Sequence, residues 1–187
     1  MNIIETFITK YNGIYFEEEE KSAHTPHGKY ITQAKSGKTF YKGNKIAVGF
    51  NEVGGANNDS ELFRMKMILD KPLDVEFLLF PRSFWSRMFR VLFFGKNSSI
   101  EEKINQQYQF TGSKELIARL KKNHLFMELI DGEFLCINLS IKKPKKMVIT
   151  PSHGHVSVEH LEKLADILTL IKELVFDKQD YSYVKAG

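Results

Sequence analysis

His153-Gly-His155, with His160 five residues further on, is the one histidine cluster of the sequence. Two histidines at i and i+2 of an extended segment project to the same side and can share a zinc ion. His160, opening a helix, would close such a site, with Glu159 or the distant His24 and His27 in support. A metal-dependent hydrolase would need three such ligands and an open position. No cysteine or carboxylate completes the spacing. The favoured reading is therefore a polar loop with solvated histidines, no bound metal and no other cofactor.

Ser36-Gly-Lys-Thr39 imitates the end of a phosphate-binding loop. That motif needs a glycine five residues before the second and a helix immediately after it. Position 32 is threonine, and Phe-Tyr-Lys-Gly-Asn follows, which reads as strand and turn. Acid–base pairs do not stand out either. Asp131 and Glu133 are explained by a turn, and no Ser-His-Asp set has the context of a nucleophile elbow.

Two composition features point to binding rather than turnover. Lys21 to Lys45 holds six lysines and no acid, and Lys29, Lys35, Lys38, Lys42 and Lys45 are interleaved with Tyr30, Phe40 and Tyr41. With the basic loop Lys142–Lys146 they can form a surface that holds phosphates and stacks bases. Lysine also guards edge strands against aggregation, and a net charge of +4 favours that plainer role. The second feature is Arg82 to Phe94, which contains three of the five arginines. On a helix its apolar face is wide, beside a stripe of Arg87 and Arg90. Burial of Trp85 and Phe89 against a sheet is the plainer expectation. Arg82, Trp85, Arg87, Phe89 and Arg90 are otherwise candidates for a protein-partner or homo-oligomer surface, with a membrane surface less favoured.

The elements that would position these groups are organised around residues 104–140. Ile104, Gln106, Tyr108 and Phe110 alternate with polar residues, which predicts a strand over 104–111. Gly112-Ser113 then breaks it, and Ser113 caps a helix to about Lys122. His124–Ile130 and Glu133–Leu139 flank Asp131-Gly132, which predicts a hairpin with positive φ at the turn. Before this unit, the spacing predicts a helix over 2–11 stopped by Gly13 and a strand over 14–20. A meander from Lys29 to Val53 follows, turning at Ser36-Gly37 and Gly43-Asn44. A hairpin of 62–69 with 73–80 and a helix over 83–92 come next. After the unit come a short strand at 147–150 and an amphipathic helix over 157–176, capped by Ser157, with a frayed tail beyond about 177.

The 187 residues, 42% hydrophobic, suit one α+β domain spanning 1–187. It is expected to hold a mostly antiparallel sheet of six to eight strands, packed by amphipathic N-terminal, central and C-terminal helices. The lone Cys136 excludes an internal disulfide, and the start Met-Asn-Ile-Ile-Glu lacks a signal-peptide pattern, so a cytoplasmic location is expected. Gln107-Tyr-Gln-Phe-Thr-Gly-Ser-Lys-Glu-Leu-Ile117 and the run after it resemble bacterial domains of unknown function over about residues 60–140. The resemblance implies a strand, a short helix and a hairpin after an N-terminal β region, and it brings no active site. The leading functional expectation is a non-enzymatic binding or protein-interaction module. A nucleic-acid-binding module using the 29–45 lysines is the alternative, and the histidine hydrolase comes third.

Overall fold

The computed structural model describes residues 2–25, 28–54, 63–82, 99–151 and 157–183. Helix α1 (Ile3–Lys10) starts from Asn2, whose side chain accepts from the Ile4 amide in a capping box with Glu5. Apolar residues at helical spacing bury Ile4, Phe7 and Ile8. The stop is made by Asn12 at φ 53, one residue earlier than the expected glycine. Strands β1 (Ile14–Glu17) and β2 (Lys21–Thr25) both lie along the same edge of β3 (Gly28–Tyr41). β3 runs unbroken through Ser36-Gly37, so the expected turn there is absent. Gly37 sits under the Ile8 side chain instead, where α1 crosses the strand.

β3 pairs along its length with β4 (Asn44–Gly54), which leads to β5 (Arg64–Ile68) and β6 (Phe77–Pro81). The expected hairpin of 62–69 with 73–80 does not form. β5 pairs with β4 and with β9 (Lys146–Pro151), while β6 pairs with β7 (Tyr108–Gly112) and β8 (Leu135–Leu139). All pairings are antiparallel, and the strands form one sheet in the order β1-β3-β4-β5-β9-β8-β6-β7 with β2 beside β1. The architecture is α+β, as the sequence predicts.

Two local expectations are overturned inside residues 104–140. Residues 100–107 form helix α2 (Ile100–Gln107), capped by Ser99 and Glu102, and only Tyr108 onward is strand. After α3 (Lys114–Lys122), which Ser113 caps as expected, residues 124–130 form a third short helix, α4 (His124–Ile130). Asn123 accepts from the Phe126 amide and starts α4 in place of the expected strand. Gly132 does take φ +74, but it ends a helix rather than turning a hairpin.

The last helix, α5 (Val158–Tyr183), begins at Ser157, whose hydroxyl accepts from the His160 amide, and continues past the expected fray point. Its buried Leu161, Leu164, Ala165, Leu168 and Ile171 join one apolar cluster with α1 and the inward side chains of the strands. A polar seam on the same helix fixes its position. Lys10 meets Glu162 at 2.6 Å, Lys42 meets Asp166 at 2.6 Å, and Lys172 donates to Asn44 at 2.6 Å. Asn44 also donates to Thr169 at 3.3 Å, so the partners on α5, at 162, 166, 169 and 172, recur every three or four residues and form one stripe. Among the described residues no helix is long and apolar enough to cross a membrane.

A basic open face as the candidate functional site

Side chains alternate across a strand, so the sheet has two faces with separate compositions. Inward positions such as Ile46, Val48, Met65, Met67, Ile137 and Ile149 are buried under the helices. The outward positions carry the charge. Lys38 lies on β3, Lys45 on β4, Arg64 and Lys66 on β5, and Lys146 on β9. Among the described residues no outward position of the sheet is acidic, and no described helix packs over this face.

Register arranges these residues in rows across the strands. Phe40 stands opposite Lys45, Lys45 opposite Ile68, and Ile68 opposite Lys146. In the next row Ile14 faces Lys38, Lys38 faces Ala47, Ala47 faces Lys66, and Lys66 faces Val148. The third row holds Phe16, Ser36, Gly49 and Arg64. Neighbouring strands are about 4.8 Å apart, so the cations, spread from β3 to β9 over three such gaps, form a lattice about 14 Å across. Small residues occupy the middle of it. Ile14, Phe16 and Phe40 keep 64%, 50% and 66% of their surface at one margin, which leaves aromatic rings open to solvent.

Toward β8 and β9 the face becomes concave. Arg64, Lys66, Lys143 and Lys146 surround a cavity of about 350 Å³ whose other walls include Cys136, Asn138, Ser140 and Thr150. None of the four cations has a carboxylate partner among the described residues. Four unneutralised positive charges beside neutral hydrogen-bonding groups make a cradle for an anion. Burial pushes the Cys136 thiol up, so it lines the cavity as a neutral group rather than a thiolate nucleophile. A second hollow, of about 460 Å³ by the Lys42–Gly43 turn, sets Lys71 and Lys172 beside Glu173 and Asp177 and has no single sign of charge.

The residues singled out from sequence divide sharply. Lys38 and Lys45 stand on the open face. Lys35 points to the helix side, 3.8 Å from Glu17, and Lys42 is held by Asp166. Lys29 lies on β3, where its side chain is outside the described residues. Arg82 has its Nε committed to the carbonyls of Asn105 at 3.1 Å and Tyr108 at 2.9 Å, which makes it a clamp between β6 and the α2–β7 junction. Trp85, Arg87, Phe89 and Arg90, with the expected helix over 83–92, lie outside the described residues, as do His153 and His155.

His160 alone of its cluster is described. Its Nε2 lies 3.2 Å from Glu133 Oε2 but off the line of a hydrogen bond, and it has no other partner among the described residues. Lys163 already donates to the second oxygen of that carboxylate at 2.6 Å. Gln107 and the Tyr108 hydroxyl donate to the Glu133 carbonyl, so this corner ties α2, β7 and α5 together. Among the described residues no group of three histidine, cysteine, aspartate or glutamate side chains is placed to hold a metal.

Arg64 and Lys66 were not among the sequence candidates, although a signal for them exists. Phe63-Arg-Met-Lys-Met67 alternates strictly, and both polar positions in it are basic. Comparison with known protein families, curated proteins and solved structures finds no match to the chain.

Proposed function

We propose that the chain is a non-enzymatic binding module that holds a polyanion on the open face of its sheet. The observation behind this reading is the charge segregation: Lys38, Lys45, Arg64, Lys66 and Lys146 stand at described outward positions of β3, β4, β5 and β9, and no described outward position of those strands is acidic. A sheet that needed lysines only to guard its edges would place them on its outer strands. Arg64, Lys66 and Lys146 stand instead on β5 and β9, in the middle of the strand order. A half-buried, neutral thiol in the cradle also accords with a cytoplasmic setting, where thiols stay reduced.

Titration with a labelled linear polyphosphate at two ionic strengths tests the reading. Binding should be present at low salt and fall steeply as salt rises, because each contact releases counterions. Arg64→Glu with Lys66→Glu should abolish it, whereas Lys122→Glu, on the exposed side of α3, should leave it nearly intact. Absence of binding at low salt, or equal loss in both variants, would reject the proposal.

A further inference from the structure

We infer that the polyanion is a single-stranded nucleic acid, laid with its sugar–phosphate backbone over Ala47 and Gly49 and its bases turned toward Phe40 and Phe16. This inference rests on the polyanion reading and adds two independent observations. The first is Gly49. A Cβ there would meet Ser36 Cβ at 3.7 Å and the Lys35 carbonyl at 3.9 Å, ordinary contact distances. Its φ is not in the left-handed region either. Neither space nor backbone demands glycine, although glycine weakens a strand interior. Glycine at such a position marks close approach by a ligand or another backbone. With Ala47 it floors a channel along β4, with Lys38 on one wall and Lys66 and Arg64 on the other.

The second observation is the placement of the rings. Phe40 and Phe16 are both exposed on the β3–β1 side of that channel. Four residues of β3, from Ser36 beside Phe16 to Phe40, separate them along the strand, about 13 Å at about 3.3 Å per residue. That span suits bases a few nucleotides apart on an extended strand. Stacking on exposed rings beside a cationic track is how single strands are held without sequence readout. A duplex hides the faces of its bases and leaves these rings unused. A flat bilayer cannot reach cations that line a concavity. An acidic polypeptide would satisfy the charges but gives the two aromatic rings no planar partner.

Fluorescence anisotropy with the full chain distinguishes these occupants. The probes are labelled oligothymidylate, an abasic strand with the same number of phosphates, and oligothymidylate annealed to its complement. The base-bearing single strand should bind about tenfold more tightly than the abasic strand. Phe40→Ala, at a position too exposed to disturb the core, should remove that advantage and leave abasic binding unchanged. Gly49→Val should weaken both without lowering the thermal midpoint. Equal binding of the abasic strand, with no effect of Phe40→Ala, would overturn the nucleic-acid assignment while leaving the polyanion reading intact. Equal or tighter binding of the duplex, or displacement of the oligonucleotide by anionic phospholipid vesicles, would also overturn it. Failure of every polyanion to bind at low salt would remove both.

Discussion

Three glycines should respond to the same substitution in three different ways, and Gly112→Ala should be the most damaging. Gly112 ends β7 at φ +115, opposite Phe77 of β6. A Cβ there would fall on the Glu76 carbonyl oxygen, 2.7 Å from its carbon and 2.9 Å from Phe77 Cα. These are backbone atoms, so no rotamer change relieves the clash. Glu76 also accepts from the Ser113 amide at 2.8 Å, and Ser113 caps α3. Backbone strain of about 1–3 kcal/mol thus adds to a disturbed hydrogen bond of about 1 kcal/mol and a weakened cap of about 1 kcal/mol. A loss of about 4 kcal/mol corresponds to a fall in thermal midpoint of about 8–16 °C for a chain of this size. Gly132, at φ +74 with open space around it, should lose only about 1–2 kcal/mol on the same change. Gly49→Ala should be neutral or stabilising by up to about 1 kcal/mol, through a less flexible unfolded chain. Urea denaturation monitored by circular dichroism measures all three, provided the m-values agree. Equal losses at Gly112 and Gly132 would refute the claim that crowding against β6 dominates.

Other outcomes follow from the polar seam and the clamp. The Lys10 ammonium, and then the Tyr11 hydroxyl, hold the Glu162 carboxyl below its ordinary value. Its contribution to stability is therefore present above the usual carboxylate range and lost as pH falls through the depressed value; Glu162→Gln should flatten the acid limb of a stability–pH profile. At the alkaline end, burial and then the Glu17 hydrogen bond push Tyr15 up to about 12, while burial and then Glu162 raise Tyr11 further. Their contributions hold below the ordinary tyrosine value and are lost as pH rises through the raised ones, so ultraviolet titration should show both ionising late. Arg82→Ala should cost about 2 kcal/mol by removing a donor from two carbonyls, measured by the same denaturation. One equivalent of zinc should leave the thermal midpoint unchanged, because Lys163 already holds the carboxylate beside His160; a rise abolished by His160→Ala would restore the metal reading.

Legibility in the sequence followed the range of the interaction. α1, α3 and the start of α5 were readable because an amphipathic stripe and a capping side chain agree locally. The misread stretch 124–130 has apolar residues at nearly every position before Asp131-Gly132, so periodicity was silent and the turn signal prevailed, whereas the strand expected after that turn is present as β8. The buried set Phe126, Met127 and Ile130 has helical spacing, and Asn123 as its cap was the overlooked cue. Ser99 with Glu102 was the matching cue ahead of Ile104. Strand partners were harder. Met65 pairs with Ile149 and Leu79 with Ile137, and no local pattern distinguishes those from a hairpin between neighbours. The basic face was half legible: lysines 38 and 45 stood out by composition, but their separation from 35 depends on which side of β3 α1 covers, and from 42 on its pairing with Asp166 of α5.

The central pairing of β5 with β9 has a consequence for how the chain is made. Every strand from β1 to β5 emerges from the ribosome before the partner that closes β5 exists, and α5 emerges later still. At about 5–20 residues per second, the stretch between Met65 and Ile149 takes on the order of 10 s to synthesise. During that interval Met65 and Met67 lack α5, the helix that packs on β5, and β5 offers an unpaired edge of the kind that recruits other strands. Arg64 and Lys66 alternate along that same edge. Two of the charges that set the open face apart in the finished protein thus also stand where they disfavour pairing of the growing chain with its neighbours.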